Sequence, residues 1–356
     1  MSKHRKLISF FAIISILTLV SLIGIKLRAE DKKTAYPVFQ KGMIFATWNK
    51  DTYASFSSQD SLKQLSDMGV NWVAILTTWY QNNYNTPKIK KSTKTPSDES
   101  LIHAIKTAHD LGMKVMLKPH IDLIDGSDGK WRADIDFATQ EEWDAWFVSY
   151  KEIMLHYAQL AQDNDVEMIC IGTELTRAAV DHSEKWVEMI REIRSIYTKG
   201  YLTYAANWYE EFNAIKFWGE LDYVGIDAYF PLTASQDPSL EQLISDWQPW
   251  VKQVEEFAAK INKPIIFPEV GYKSVVQTAD SPWEHISNQD INLDLQARCY
   301  EALLEVFWDK PWFYGAYWWY WGTSTKMGGK TNKGFTPQNK PAAEIINKWY
   351  KEKQTK

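Results

Sequence analysis

The amino-acid sequence predicts a single (β/α)8 TIM barrel, and three observations support this fold. Short, mainly apolar runs alternate with amphipathic stretches from about residue 43 onward, as expected for parallel strands joined by helices. Eight such couplets follow one another at intervals of about 25 to 50 residues, within the usual range for an eightfold barrel. No Pro/Ser-rich linker divides the couplets, so one barrel domain is expected.

Each predicted strand is a short apolar run, and each predicted helix repeats apolar residues every three or four positions. In the first helix Leu62, Leu65 and Met68 share one face, and Gly69 follows as a stop signal. Gly112 ends the second helix in the same way. The eight couplets in chain order are 43–48 with 57–68, 71–76 with 98–111, 114–119 with 140–162, 166–172 with 183–197, 201–206 with 210–218, 223–228 with 240–261, 264–268 with 291–308, and 314–319 with 342–350.

Two of the later helices differ in the strength of their signals. Glu141, Glu142 and Asp144 lie near the start of the third helix, where negative charge is favourable. The fifth helix, 210–218, has a weaker pattern. The alternative to a barrel is an open doubly wound sheet, which usually has fewer strands and a glycine-rich first turn; no such turn follows the first strand here.

Composition excludes several functional classes and favours one kind of surface. The 356 residues carry 40 Lys and Arg against 45 Asp and Glu, a net charge of −5, so no broad basic face for nucleic acid is expected. The chain contains 18 Trp, 18 Tyr and 15 Phe. Because indole is large and its N–H requires a partner, such an excess suggests an aromatic, solvated cleft.

The N-terminus has the pattern of an export signal. Residues 7–25 carry no charge and follow Lys3, His4, Arg5 and Lys6, which is typical of either a cleaved secretory signal or an uncleaved signal anchor. We therefore predict a leader at 1–28, a linker at 29–40 and a catalytic barrel at 41–352. The protein would be secreted, or tethered through 7–25 to the outer face of the cell membrane.

Cysteine and metal-ligand patterns predict neither a disulfide scaffold nor a metal centre. Cys170 and Cys299 have no close partner in sequence, and buried free thiols are the favoured interpretation. No His-Glu-x-x-His motif or Gly-x-Ser-x-Gly elbow occurs. His120, Asp122 and Asp125 include possible cation ligands, but a hydroxyl-binding histidine in a solvated loop is the simpler interpretation. We expect a monomeric protein without a cofactor.

Two glutamates lie where a barrel enzyme places its reactive groups. Glu174 follows the fourth predicted strand and Glu269 follows the seventh, each directly after an apolar run. Side chains at the carboxyl ends of barrel strands converge at one mouth. A pair of carboxyl groups, one protonated and one ionised, is what glycoside hydrolysis requires.

Further strand-end residues are candidates for holding a sugar. Tyr229 is placed to donate its hydroxyl to Glu269, and His120 to bind a sugar hydroxyl or the same glutamate. Since successive side chains of a strand alternate between faces, one of Trp318 and Trp319 should face the mouth. The full predicted set of substrate-binding residues is Trp48, Trp79, His120, Asn207, Asp227, Tyr229, Trp318 and Trp319.

The segments around the two glutamates resemble the clan A retaining glycosidases. These segments are 171–175, IGTEL, and 267–272, FPEVGY. From about residue 43 to 350 the chain is most similar to glycoside hydrolase family 113, whose known members are mainly endo-β-1,4-mannanases. The resemblance implies that Glu174 is the acid/base and Glu269 the nucleophile, acting on a polysaccharide or oligosaccharide.

The resemblance is incomplete at one position and leaves alternatives open. Many clan members have Asn before the acid/base, whereas this chain has Thr173, so the hydrogen bond to the sugar 2-hydroxyl is expected from elsewhere, with Asn207 as a candidate. The leading hypothesis is a retaining endo-glycosidase acting on β-mannan. A non-catalytic carbohydrate-binding barrel, an exo-acting enzyme and a hydrolase of another β-glycan are the alternatives.

Overall fold

The strands of the protein close into a parallel barrel. The computed structural model describes residues 39–285 and 288–353. β1 pairs with both β2 and β9, so the sheet returns to its start, and all eight barrel strands run parallel. The predicted TIM barrel is confirmed. The strands are β1 (Gln40–Ala46), β2 (Trp72–Gln81), β3 (Ile89–Lys90), β4 (Lys114–Leu123), β5 (Met168–Thr173), β6 (Tyr201–Asn207), β7 (Val224–Asp227), β8 (Ile265–Val270) and β9 (Phe313–Gly322).

The short strand β3 is an addition to the barrel, since it pairs antiparallel with the end of β2. Helices surround the barrel in the predicted order, with two exceptions. A short helix, Thr176–Asp181, was not predicted, and predicted helix 210–218 is a short helix followed by a 3-10 turn, Phe217–Glu220. The helices are α1 (Phe56–Asp67), α2 (Asp98–Asp110), α3 (Gln140–Asp163), α4 (Thr176–Asp181), α5 (Ser183–Ile196), α6 (Glu211–Ala214), α7 (Leu240–Ile261), α8 (Leu293–Phe307) and α9 (Pro341–Glu352).

Strands β2 and β4 extend farther toward the mouth than the sequence predicts. Their parallel pairing continues from Trp72 opposite Lys114 to Gln81 opposite Leu123. The apolar runs end earlier because polar residues such as Thr78 and His120 interrupt them, but the backbone ladder does not depend on apolar side chains. The polar ends of these two strands are thereby held on rigid elements at the mouth.

Alternating side chains divide the core into two layers. Side chains inside the barrel include Ala74, Leu76, Met116 and Cys170, whereas those on the other face of each strand pack against the helices. Both cysteines are buried and free. The alternation decides which residue of each strand end can reach the barrel mouth.

The predicted leader at 1–28 lies outside the described residues, as does nearly all of the predicted linker at 29–40; Gln40 already belongs to β1. In the part of the chain that the structure describes, no helix is both long and apolar enough to cross a bilayer.

We expect Gly225→Ala to destabilise the barrel, because Gly225 has no room for a side chain. A Cβ atom there would lie 2.3 Å from the main-chain oxygen of Tyr204 and 2.6 Å from Cγ of Pro268. Overpacking of this kind costs about 1–3 kcal/mol of unfolding free energy. Gly219→Ala is the matched control, since a Cβ at Gly219 meets nothing within 4 Å. Equal urea midpoints for the two variants would contradict the prediction.

Candidate active site

Glu269 lies in β8 with both carboxylate oxygens held by donors. The Tyr229 hydroxyl donates to Oε1 at 2.7 Å, the contact expected from the sequence, and the Lys118 ammonium donates to Oε2 at 2.8 Å. The residue is 5% exposed. Donors on both oxygens favour the charged form of a carboxyl group and fix its orientation.

Lys118 connects Glu269 to a second buried carboxyl group. Its ammonium, fully buried, also lies 3.8 Å from Oδ1 of Asp227. Burial alone would lower the pKa of Lys118, but the Asp227 and Glu269 carboxylates outweigh burial and raise it. Burial raises the pKa of Asp227 well above its usual value, and neither of its oxygens accepts a hydrogen bond from a described residue.

Glu174 follows β5 in an unusual backbone conformation. Its φ of 54° is left-handed, and its N–H donates to the carbonyl of Ala205 in β6 at 2.8 Å. The side chain is 6% exposed. Burial raises the pKa of Glu174 to about 7, with Glu269 acting in the same direction and Arg132 against it. A carboxyl group with such a pKa can hold a proton near neutral pH.

Arg132 holds the Glu174 carboxyl from a loop. It begins the one-turn 3-10 helix Arg132–Asp134 that follows β4. Its Nη1 donates to Oε2 of Glu174 at 2.8 Å, while its other donors bind Asp122 and the carbonyl of Ile121. Asp122 is thus engaged in an ion pair with Arg132.

Asn207, at the end of β6, is held from within the protein. Its amide nitrogen donates to Oε2 of Glu211 and to Oγ1 of Thr176, both at 3.0 Å. Glu211 also accepts from the hydroxyl of Tyr204 at 2.6 Å, and that hydroxyl accepts from the N–H of Leu175 at 2.9 Å. A sugar contact through the Asn207 amide nitrogen would therefore require these bonds to break, and the network instead supports the segment that carries Glu174.

Aromatic rings form one wall of the mouth. Trp319, 8% exposed, lies parallel to the His120 ring at an interplanar angle of 2° and a centroid distance of 6.3 Å. Trp48 meets Trp319 edge-on. Burial, with Lys118 and Arg132, lowers the pKa of His120 well below its usual value, so the ring is neutral. Its Nε2 has no partner among the described residues.

Two tryptophans of the predicted set are packing residues. Trp318 is fully buried, stacked on Tyr300 at 3.9 Å, with its indole nitrogen bonded to Tyr350. Trp79 packs outside the barrel, and its nitrogen donates to Tyr157 of α3 at 2.7 Å. Strand alternation turns both side chains toward the helices, so the prediction that they contact the substrate is wrong.

Aromatic surfaces lie on two sides of the carboxyl pair. On the side of β1, β2 and β4, a cleft of about 470 Å³ contains Trp48, Tyr80 and Trp131 together with Arg132. On the side of β6, Trp208 stacks on Trp283 at 5.4 Å, and Trp283 is 40% exposed. A cleft with aromatic walls therefore lies on one side, and an exposed aromatic surface lies on the other.

Sequence reasoning missed several of these residues. Lys118 had a signal, since it lies two positions from inward-facing Met116 and two from His120 on the same strand. Arg132, Glu211 and Trp283 had none, because each lies outside the strands, where no periodicity fixes the direction of a side chain.

Replacement of Lys118 by methionine should strongly destabilise the protein in a pH-dependent manner. Removing one partner of a buried ion pair costs about 3–5 kcal/mol. Without the ammonium, the pKa of Asp227 would rise further above its unfolded value of about 3.9, so the folded state would bind the proton more tightly and stability would fall as pH rises.

Denaturant unfolding at pH 5 and pH 8 measures this effect, and the deficit of Lys118→Met against wild type should be larger at pH 8. Lys151→Met is the control, because Lys151 pairs with Glu192 at the surface. A deficit that is independent of pH would contradict the proposed charge balance.

Solved structures of known proteins share this fold. Solved structures similar to the chain include the family 113 β-mannanase AaManA of Alicyclobacillus acidocaldarius in complex with ManMIm, at 30% identity and a TM-score of 0.78, over 88% of this chain and 97% of that one. Another, a family 113 β-1,4-mannanase, is 29% identical with a TM-score of 0.79, over 88% and 99%. A Ruminococcus gnavus β-glucuronidase, 13% identical with a TM-score of 0.60 over 88% of this chain and 50% of that one, shares the fold alone.

No protein with a curated description matches the chain. The model of Glycoside Hydrolase Family 113 matches residues 43–340, which span nearly the whole barrel. The chain belongs to glycoside hydrolase family 113 and is a glycoside hydrolase.

Proposed function

We propose that the protein is a retaining endo-β-1,4-mannanase in which Glu174 is the acid/base and Glu269 the nucleophile. One observation carries these roles: two buried carboxyl groups at one barrel mouth have opposite surroundings. Glu269 receives donors from Lys118 and Tyr229 on both oxygens, whereas burial raises the pKa of Glu174 to about 7. One group is thus suited to attack as an anion and the other to deliver a proton.

In the first step, an oxygen of Glu269 forms a bond to the anomeric carbon while the glycosidic C–O bond breaks. The proton of Glu174 passes to the departing oxygen, so the leaving sugar carries a hydroxyl group. The products of this step are a glycosyl ester on Glu269 and an ionised Glu174. Tyr229 and Lys118 keep the attacking carboxylate oriented before the bond forms.

In the second step, water attacks the anomeric carbon and gives a proton to Glu174. The ester C–O bond breaks, and its electron pair returns to Glu269 as a carboxylate. Two displacements at one carbon retain the configuration. Both glutamates end in their starting protonation states, so no further reactant is required.

The surfaces around the pair support a sugar-binding role for their residues. Trp319 offers an indole face at the mouth, and a pyranose can pack its C–H face against such a ring. The Nε2 of neutral His120 and the carboxyl oxygens of Asp227 are buried polar atoms that make no hydrogen bond with a described residue, and sugar hydroxyl groups can bind to them.

Two further observations support the substrate and the mode of cleavage. Similar solved structures at 28–30% identity are β-mannanases, which favours β-1,4-mannan over other β-glycans. Aromatic surfaces on both sides of Glu174 and Glu269 favour cleavage within a chain over release from one end. Export, predicted from residues 1–28, accords with a polymeric substrate, and the N-terminal sequence of the mature protein would test it.

Replacement of either glutamate by alanine should abolish hydrolysis of mannan, with kcat/KM falling by about a thousandfold or more. Azide distinguishes the two roles. In Glu269→Ala, azide replaces the nucleophile and should yield the α-mannobiosyl azide from an activated aryl β-mannobioside, with release of the phenolate. In Glu174→Ala, azide should attack the glycosyl-enzyme and yield the β-azide.

The anomeric configurations are read by proton NMR. Glu192→Gln is the control and should match wild type, because Glu192 is a partly exposed surface residue that pairs with Lys151. Retained activity in either alanine variant, or azide products of the opposite configurations, would refute the assigned roles.

Endo cleavage should be visible in the product sizes and in a distal aromatic variant. Wild type should release a mixture of mannooligosaccharides from the earliest times. Trp283→Ala should raise KM for mannan by about three- to tenfold, since a stacking contact contributes about 0.5–1.5 kcal/mol. The kcat/KM for an aryl β-mannobioside should change less. Release of a single short product from the outset would indicate exo action.

A further inference from the structure

We infer that Arg132 is the positioning residue of the acid/base: it fixes which oxygen of Glu174 carries the transferred proton and favours the ionised carboxylate in the second step. This inference rests on the proposed roles of Glu174 and Glu269. It assigns a function to a loop residue that none of the sequence patterns indicates.

The contacts of Arg132 orient its guanidinium with little freedom. Its Nε donates to the carbonyl of Ile121 at 3.0 Å and its Nη2 to Asp122, so the end of β4 holds two corners of the planar group. The remaining Nη1 is thereby aimed at Oε2 of Glu174, 2.8 Å away. Because the guanidinium is rigid and planar, fixing two donors also fixes the third.

This arrangement determines the location of the acidic proton. Among the described residues, Arg132 alone donates a hydrogen bond to the Glu174 carboxyl group, and it does so at Oε2. In a neutral carboxylic acid the carbonyl oxygen is a stronger acceptor than the hydroxyl oxygen, so this bond favours Oε2 as the carbonyl oxygen and Oε1 as the site of the proton. The proton donor therefore has one defined oxygen, directed by a side chain that is only 17% exposed.

Arg132 also supplies a constant charge while the charge of Glu269 changes. The Glu269 carboxylate raises the pKa of Glu174, and Arg132 lowers it. When Glu269 becomes an ester, its negative charge is lost but the guanidinium stays. The Glu174 carboxylate is then favoured as the base that receives a proton from water. The charged and titratable groups that act on Glu174, or on which it acts, are Lys118, Arg132, Tyr209, Glu211, Asp227, Tyr229 and Glu269.

The first test compares leaving groups in Arg132→Met. Phenyl β-mannobioside needs protonation of its leaving oxygen, whereas 2,4-dinitrophenyl β-mannobioside does not. We expect kcat/KM to fall about 10- to 100-fold for the phenyl substrate and less than about threefold for the dinitrophenyl one. For the dinitrophenyl substrate kcat should fall more than kcat/KM, because the second step, which also uses Glu174, limits turnover.

The second test is the pH profile. In wild type, kcat/KM for the phenyl substrate should decline above a pH of about 7, as Glu174 loses its proton. Loss of the guanidinium removes an influence that lowers the pKa, so Arg132→Met should shift this decline to higher pH. Arg132→Lys keeps the charge, and its decline should remain near that of wild type.

Arg177→Met is the matched control. Arg177 lies in α4, three residues after Glu174, and ties the same loop through Asp136 at 2.6 Å without touching Glu174. It should leave the leaving-group dependence and the pH profile unchanged. Equal losses for both substrates in Arg132→Met, with an unshifted pH profile, would reduce Arg132 to a structural tether and overturn the inference. Wild type inactive on every mannoside would instead refute the proposed function.

Discussion

The buried ammonium of Lys118 is the interaction on which the rest of the site depends. It lies inside the barrel in contact with Glu269 and near Asp227. Burying a charged carboxylate there costs much free energy, because the group loses its contacts with water. A cation held at a fixed position offsets this cost for one of the carboxylates. The inward face of β4 supplies this cation, because its side chains alternate and Met116, Lys118 and His120 point the same way. Glu269 on β8, the proposed nucleophile, is therefore held by a strand on the other side of the barrel.

The excess of carboxyl groups over cations at the mouth helps to explain why Glu174 can hold a proton near neutral pH. Four buried carboxyl groups, those of Glu174, Glu211, Asp227 and Glu269, influence one another at the mouth, and two buried cations, Lys118 and Arg132, face them. If all four were ionised, negative charge would exceed positive charge at the mouth, even with Arg132, which is 17% exposed, counted beside the buried Lys118. Burial raises the pKa of Glu174, Glu211 and Asp227, and the neighbouring carboxylates raise the pKa of Glu174 and Asp227 further. The raised pKa of Glu174 thus follows from the electrostatics of the whole mouth.

The fold and the carboxyl pair were predictable from the sequence because both depend on strands. Apolar runs located all eight barrel strands, and a carboxylate at the end of a buried strand has few structural roles. The contact between Tyr229 and Glu269 was predictable for the same reason, since parallel neighbours β7 and β8 bring their ends together. Trp318 and Trp319 show the limit of this reasoning. Alternation separates their directions, but the sequence does not say which one points inward; that choice follows from the closure of the barrel.

The observed length of β2 explains the error on Trp79, and the loop after β4 explains why Arg132 was not predicted. The sequence places Trp79 at the mouth because the apolar run ends before it. In the structure β2 continues to Gln81, and the alternation of the longer strand turns Trp79 toward α3. Arg132 lies nine residues beyond the end of β4. No periodic pattern in the sequence connects it with Glu174. Its direction comes from the carbonyl of Ile121 and from Asp122, groups that only the folded strand end brings into place. The strands thus determine where the buried carboxyl groups lie and supply Lys118, whereas a loop supplies Arg132, which opposes the effect of burial on the pKa of Glu174.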